Sequence, residues 1–419
     1  MTPRVLIVTA SVGEGHDLPA RTLAAQLREE RPGVEVVTVD GLAVMGRTVA
    51  AVSERAPRVV FFRFGWLWDV GFWFFAGFRP TRRFTQSALT RLGAPGLLGL
   101  VRTHRPDVIV STYPHTTEVL GRLRNSGRLE VPVCAAVTDL AALRYWATPG
   151  ADVHLVTHVE SIDEVYVIAG ASAVAQCVQG FTDPAFLESR RKDEARVALA
   201  LPADARIVLV SGGGWGVGRL EAAVEVALSL PQVGLVVCLC GRNDELQRRV
   251  ERRFAAQERV RVEGFTEAMP DWLAAADVLV HSTAGLTILE ALIRGCPAIS
   301  FGWGRGHIRL NNAAFRRFGL AEVAGTNAQL RSALARSLES GRRPDLGYAR
   351  LPSAASIVLA QADDGSGPGE NPAGDGEDRE GGDQHASSEG RVAPVLAADQ
   401  RREKDGDRDL HGQHGRPHP

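Results

Sequence analysis

Lysine is nearly missing from this chain. Only Lys192 and Lys404 occur, so 46 of the 48 basic residues are arginine; a GC-rich genome accounts for that bias, with phosphate binding as the competing explanation. Cysteine is scarce as well. The five in 419 residues are odd in number and mostly inside apolar runs, which excludes a disulfide-stapled scaffold and reads as reduced core thiols of a cytosolic protein. The Cys238-x-Cys240 spacing is too short for a zinc knuckle, and strand alternation puts both side chains on one face. No Gly-Lys-Ser/Thr follows a glycine run, which excludes a P-loop. Residues 1–361 contain no Asp-x-Asp, so a metal-held diphosphate is not suggested and neither metal nor cofactor is expected. The arginines are dispersed rather than striped, which disfavours nucleic acid as a partner. Arg4 to Ala10 is already strand-like, with no charged-then-apolar leader before it; the expectation is a protein not exported by a standard signal.

What is present is ordinary globular material, 45% hydrophobic and 23% charged, over a length that favours two lobes plus an appendage. The net charge of -1 hides a partition: residues 363–419 carry 14 acidic and 7 basic side chains, leaving 41 basic against 35 acidic in residues 1–361. Ten short apolar runs alternate with helical-period stretches. They are Val5–Thr9, Val34–Val39, Val108–Ser111, Val133–Thr138, His154–Thr157, Ile207–Ser211, Leu235–Leu239, Val260–Glu263, Val278–His281 and Ala298–Phe301. Continuous apolar strands of this kind belong to parallel sheets covered on both faces, the doubly wound α/β class. Ten are too many for one modest sheet, so two Rossmann-like domains are expected, residues 1–185 and 186–361. The stretch Ala354–Leu359 is placed to return and brace the first of them. Residues 362–419 lose all apolar periodicity and are expected to be a disordered tail.

Three segments carry candidate chemistry. Ser11-Val12-Gly13-Glu14-Gly15-His16 stands between the first strand and a helix expected near Asp17, where glycine lets backbone approach a ligand at the carboxyl edge of the sheet. His16 there is either a base for an acceptor hydroxyl or a helix-start residue bonded to backbone. Ser211 to Gly218 repeats the arrangement with five glycines in seven residues, and its backbone N–H groups ahead of a helix can hold a diphosphate. His281 to Leu292 places Thr287 and Glu290 one helical turn apart. Glu290 then accepts from both hydroxyls of a ribose, or else forms a capping arrangement with Thr287.

Four blocks in order resemble glycosyltransferase family 28 of the GT-B fold, in particular its monogalactosyldiacylglycerol synthase and processive diacylglycerol glucosyltransferase branch and, more distantly, MurG. They are Gly13-x-Gly15-His16 with Ala20; Val137-Thr138-Asp139 with Trp146; Gly212 to Gly218 with Gly241-Arg242-Asn243; and Gly264-Phe265 through Gly295-x-Pro297. The resemblance implies inverting transfer of a sugar from a nucleotide diphosphate, UDP above all, across a cleft between an acceptor domain and a donor domain. It implies His16 as base or acceptor-orienting group and Asp139 on the acceptor side. Gly15, Gly212, Gly213, Gly214 and Arg242 fall to the donor, as do Phe265 and Thr266 beside uracil. Ala284, Gly285, Leu286 and Thr287 form a second phosphate-facing loop, and Glu290 is the ribose ligand. The family's Gly-Pro-Gly-Thr reads Ala284-Gly285-Leu286-Thr287 here. Its sugar-contacting Gln-Glu pair falls where this chain has His307 and Arg309, which leaves the sugar open.

Residues 61–84 hold eleven of the 26 aromatics, among them Phe61, Phe64, Trp66, Trp68 and Trp73. The uncharged span, broken by Asp69, is about half the roughly 20 apolar residues that a spanning helix needs. With Arg79, Arg82 and Arg83 beside it, it suits a segment lying on an anionic membrane surface; the alternatives are a buried helix or a dimer contact. The expected partners are therefore a nucleotide sugar, a lipid acceptor and an anionic membrane, at the cytoplasmic face of the cell membrane. A soluble or polyprenyl-linked acceptor, and a nucleotide-sugar-binding protein without transfer, are the competing readings.

Overall fold

Val5–Val8 and Val108–Val110 are fully buried on both faces, which only a covered parallel sheet provides. The computed structural model describes residues 2–10, 14–46, 49, 78–140, 146–283, 285–302, 304, 307–343 and 346–365. Its first sheet contains β1 (Arg4–Thr9), β2 (Glu35–Asp40), β3 (Val108–Ser111), β4 (Val133–Val137), β5 (Val153–Val156) and β6 (Ala175–Cys177), all parallel, in the order β2-β1-β3-β4-β5-β6. Its helices are α1 (Glu14–Glu30), α2 (Gly41–Val44), α3 (Arg79–His104), α4 (Pro114–Asn125) and α5 (Ile162–Ala169). In α1, Ala20, Leu23, Ala24 and Leu27 recur at helical spacing and are buried against β1 and β3.

The second sheet is built the same way from β7 (Ile207–Ser211), β8 (Leu235–Leu239), β9 (Val260–Glu263), β10 (Val278–His281), β11 (Ala298–Phe301) and β12 (Glu322–Ala324), in the order β12-β11-β10-β7-β8-β9. Around it lie α6 (Lys192–Ala198), α7 (Leu220–Leu228), α8 (Asp244–Arg253), α9 (Met269–Ala275), α10 (Leu286–Ile293), α11 (His307–Phe318) and α12 (Asn327–Ser340). All ten expected strands form; β6 and β12, three residues each, are too short to show a pattern in sequence. The fold is of the two-Rossmann-domain GT-B kind. In each sheet the chain reverses direction beside its first strand, between β1 and β3 and between β7 and β10, and ligands of open parallel sheets bind outside the carboxyl ends at such points.

After the second sheet the chain crosses back. α13 (Ala354–Gly365) buries Ala354, Ala355, Val358, Leu359 and Ala362 against Val5, Ile7, Leu23 and Leu27. Its last turn is held by Arg31, whose guanidinium donates to both Asp363 oxygens at 2.7 and 2.8 Å. Helix therefore continues to Gly365, past residue 362 where the tail was expected to begin, because Ala362 still has core to cover. Both sheets lie in one compact unit, Met1–Pro368.

Candidate active site

His16 stands in the first turn of α1, which begins at Glu14 and not near Asp17, so Gly15 lies inside the helix and not in a loop before it. The hydroxyls of Thr9 and Thr112 both donate to its carbonyl oxygen, at 3.1 and 3.3 Å. Its ring Nδ1 is 3.2 Å from the Thr112 carbonyl oxygen. A carbonyl only accepts, so Nδ1 carries the hydrogen and Nε2 is the basic nitrogen of the neutral ring. Thr9 ends β1 and Thr112 follows β3, so these bonds fix His16 at the reversal point of the first sheet. The ring meets Tyr113 edge-on at 5.0 Å and Trp146 at 5.7 Å. Behind it, burial first and the nearby His16 second push the His115 imidazole down to about 4.

Trp146 connects His16 to Asp139. The fully buried indole donates Nε1–H to Asp139 Oδ2 at 3.1 Å, while Asn311 Nδ2, from α11 of the second lobe, donates to Asp139 Oδ1 at 3.0 Å. Both carboxylate oxygens thus accept hydrogen bonds, one from each lobe. A second interlobe contact, His158 Nδ1 to the Tyr348 hydroxyl at 3.1 Å, is buried beside Phe315; burial pushes this imidazole down to about 4 and leaves it neutral at pH 7.

In the second sheet, three neighbouring strands, β10, β7 and β8, end in loops. After β7, the glycine loop closes on itself through Val217 N–H to Gly212 O and Gly216 N–H to Gly213 O, both 3.0 Å. After β8, Arg242 N–H donates to Gly214 O at 2.8 Å. After β10, Ser282 is so close to Gly218 that a Cβ there would sit 2.0 Å from its Oγ. Gly213, Gly216 and Gly218 have φ of 69°, 58° and 117°, values that favour glycine. Glycine is needed here for conformation and for space. Under the loop, His281 Nε2 is 2.7 Å from Thr283 Oγ1 and burial pushes its imidazole down to about 4.

The remaining expected donor residues fall in distinct places. Gly285 is the N-cap of α10, with Leu286 and Thr287 in its first turn; Ala284 is outside the described residues. Glu290 is buried and does not cap with Thr287. Its Oε1 accepts from the Thr182 hydroxyl at 3.0 Å, and burial pushes its carboxyl up to about 7, against the Thr182 bond and with Asp183 adding to the rise. Arg242 lays its guanidinium over the half-exposed Phe265 ring at 3.6 Å. Thr266 instead turns its oxygen to α9, accepting from Ala268 N–H at 3.1 Å and Trp272 Nε1–H at 3.3 Å. His307 opens α11 and Arg309 is exposed on it. The membrane candidates Phe61, Phe64, Trp66, Trp68 and Trp73 lie outside the described residues. Arg79, Arg82 and Arg83 open α3, with Arg83 exposed.

Thr182 and Asn311 escaped the sequence reading. The signal for Asn311 was available, since Asn311-Asn312 is a pair of poor helix formers inside an amphipathic helix. Thr182, in a linker, had none. Among the described residues no cluster of His, Cys, Asp and Glu is placed to hold a metal ion, and no helix is long and apolar enough to cross a membrane. A cavity of about 630 Å³ is lined by Asp152, Val174, Gln176 and Ser356. It opens at the amino ends of β5 and β6, the edge of the sheet where ligands of this fold class do not bind.

Comparison with known proteins finds similar families, relatives and solved structures. Residues 16–172 match the monogalactosyldiacylglycerol (MGDG) synthase family, and residues 216–335 match the glycosyl transferases group 1 family. A processive diacylglycerol beta-glucosyltransferase of Staphylococcus epidermidis is 26% identical over 334 residues, covering 77% of this chain and 81% of that protein. One of Staphylococcus aureus is 24% identical over 330 residues, with the same coverage of 77% and 81%. Among solved structures, a Medicago truncatula protein complexed with UDP-glucose superposes with a TM-score of 0.54 at 12% identity, over 87% of this chain and 99% of that one. MurG of Acinetobacter baumannii gives 0.51 at 15%, over 87% and 100%.

Proposed function

We propose that this hexosyltransferase, similar to the monogalactosyldiacylglycerol synthases and the processive diacylglycerol glucosyltransferases, moves a hexose from a UDP-sugar to a lipid hydroxyl, such as that of diacylglycerol, with inversion at the anomeric carbon. The first lobe takes the acceptor and the second the donor. The reading is carried by the row His16, Trp146, Asp139 and Asn311, which brings a basic nitrogen and a doubly held carboxylate of the first lobe against the second.

In this reading His16 is the base and Asp139 the group that orients it through Trp146, because both Asp139 oxygens are already engaged. The acceptor hydroxyl oxygen forms a bond to the anomeric carbon and its proton passes to His16 Nε2. The bond from that carbon to the diphosphate oxygen breaks, and its electron pair leaves with UDP. Charge grows on the diphosphate in that step, where backbone N–H groups of the glycine loop and the start of α10 stabilise it without reorganising. Glu290 holds the ribose, and Phe265 under Arg242 forms one wall of the base site.

Membrane contact rests on α3, which has no acidic residue. Phe84 is 76% exposed and Leu92 55%, and their chain neighbours Arg83 and Arg91 are exposed as well. Apolar side chains flanked by cations suit an anionic lipid surface at the cytoplasmic face of the membrane.

The test is release of UDP from a panel of UDP-sugars, with and without vesicles of diacylglycerol and anionic lipid. Turnover that requires vesicles is the expected result and names the sugar. Equal turnover with a soluble acceptor and no vesicles would move the acceptor to another class, and UDP binding without turnover on any acceptor would refute transfer.

A further inference from the structure

Thr182 occupies an unusual position in the chain. It follows Phe181, which belongs to the core under the first sheet, and precedes Phe186, which belongs to the core under the second. The first covalent crossing between the lobes, residues 182–185, is thus four residues long, and Thr182 lies in it, 1% exposed. The crossing is pressed onto α10: a Cβ on Gly180 would lie 3.4 Å from Leu289 Cδ2 and 3.8 Å from Ile293 Cδ1. Asp183 turns the other way and caps the following turn by accepting from Ala185 N–H at 2.9 Å. The Thr182 hydroxyl is left aimed at Glu290 Oε1, at 3.0 Å. Arg294, one turn further along α10, donates to the carbonyls of Ala185 and Glu188. The polar groups on the linker that face this carboxyl are therefore Thr182 and Asp183, one donating and one repelling.

A glutamate carboxylate that must accept from two ribose hydroxyls has four lone pairs and three rotatable bonds to control. Thr182 restrains those bonds by engaging one oxygen at 3.0 Å. We infer that Thr182 is a positioning residue for nucleotide recognition: its hydroxyl orients Glu290 toward the ribose diol and so makes the interlobe crossing part of the donor site. This rests on the assignment of Glu290 to the ribose made above. The chemistry it would serve is discrimination of a ribonucleoside diphosphate from its 2′-deoxy counterpart. A properly oriented carboxylate is left partly unmatched when one hydroxyl is missing.

The experiment is calorimetric titration of the full chain with UDP and with 2′-deoxy-UDP, for the wild type, Thr182→Val and Thr182→Ser. Valine has the shape of threonine without the donor, and serine keeps the donor, so Thr182→Ser separates orientation from packing. The wild type should prefer UDP. Thr182→Val should weaken UDP by about tenfold, the scale of a lost hydrogen bond to a charged group, and narrow the preference, while Thr182→Ser keeps both. In a Glu290→Gln background, Thr182→Val should add little. If Thr182→Val binds UDP as tightly as the wild type or more tightly, or if Thr182→Ser fails as badly as Thr182→Val, the positioning role is overturned and the donor site stands. If the wild type binds neither nucleotide, the donor reading itself falls, and this one with it.

Discussion

Replacing Gly218 by alanine tests whether the glycine loop is a built cradle or a flexible turn. A Cβ there would lie 2.0 Å from Ser282 Oγ and 2.3 Å from Ser282 Cβ, at a backbone φ of 117°. Backbone strain at such a φ costs about 1–3 kcal/mol and overpacking about 1–3 kcal/mol, so the two together come to about 2–6 kcal/mol. The loop relieves the contact only by moving away from Ser282, which separates the two loops proposed to hold the diphosphate. UDP affinity should fall by at least roughly tenfold, together with the melting temperature, both read by calorimetry. Gly127→Ala is the control. Its φ is 69° but an added Cβ meets nothing within 4 Å, so it reports backbone strain alone and should leave UDP binding intact. Adding Ser282→Gly to Gly218→Ala removes the clashing atoms and should restore part of the affinity. A Gly218→Ala protein that binds UDP like the wild type, or one that Ser282→Gly does not rescue at all, would refute the reasoning.

Three further outcomes are expected. Burial raises the Glu290 carboxyl from its ordinary 4.5 to about 7, so the nucleotide-free fold holds a proton that the unfolded chain releases. Its stabilising contribution is complete below about pH 4.5 and is lost as pH rises through about 7, by up to about 3 kcal/mol, and urea unfolding of Glu290→Gln at pH 5 and 8 should lack that slope. UDP affinity should run the opposite way, rising with pH as the carboxylate forms. Asn311→Leu leaves Asp139 Oδ1 without its interlobe donor and should lower kcat roughly 10- to 100-fold with little change in donor KM, measured by UDP release. Truncation after Pro352 removes Val358 and Leu359 from the first core at a cost of about 3–6 kcal/mol, at about 1.5–3 kcal/mol for each side chain, and should lower the melting temperature markedly. Truncation after Gly365 should not.

The motif residues read from sequence are those whose backbone neighbours already constrain them. His16 follows a strand and its glycines, Gly212 to Gly218 precede a helix, and Glu290 is one turn into α10, so strand-loop-helix periodicity suffices to put all three at carboxyl edges of sheets. Their partners were not legible. Thr112, Trp146, Asn311 and Thr182 reach His16, Asp139 and Glu290 from 96, 7, 172 and 108 residues away; Trp146 stood in a family block and Asn311-Asn312 is a poor helix-forming pair, but neither says which group it contacts.

The alternation of apolar strands and amphipathic helices was enough by itself to determine two parallel sheets, because a strand buried on both faces has no other stable arrangement. It also determined which loops follow the carboxyl ends of the strands. Only the tertiary structure decided which groups those loops meet. That Glu290 does not cap with Thr287 follows from the fold, which turns its Oε1 to the Thr182 hydroxyl at 3.0 Å. Only the fold brings donors from both lobes onto the Asp139 carboxylate. Strand and helix formation depend on patterns a few residues long, whereas the orientation and protonation of a side chain depend on whichever distant groups the folded chain brings within hydrogen-bonding distance.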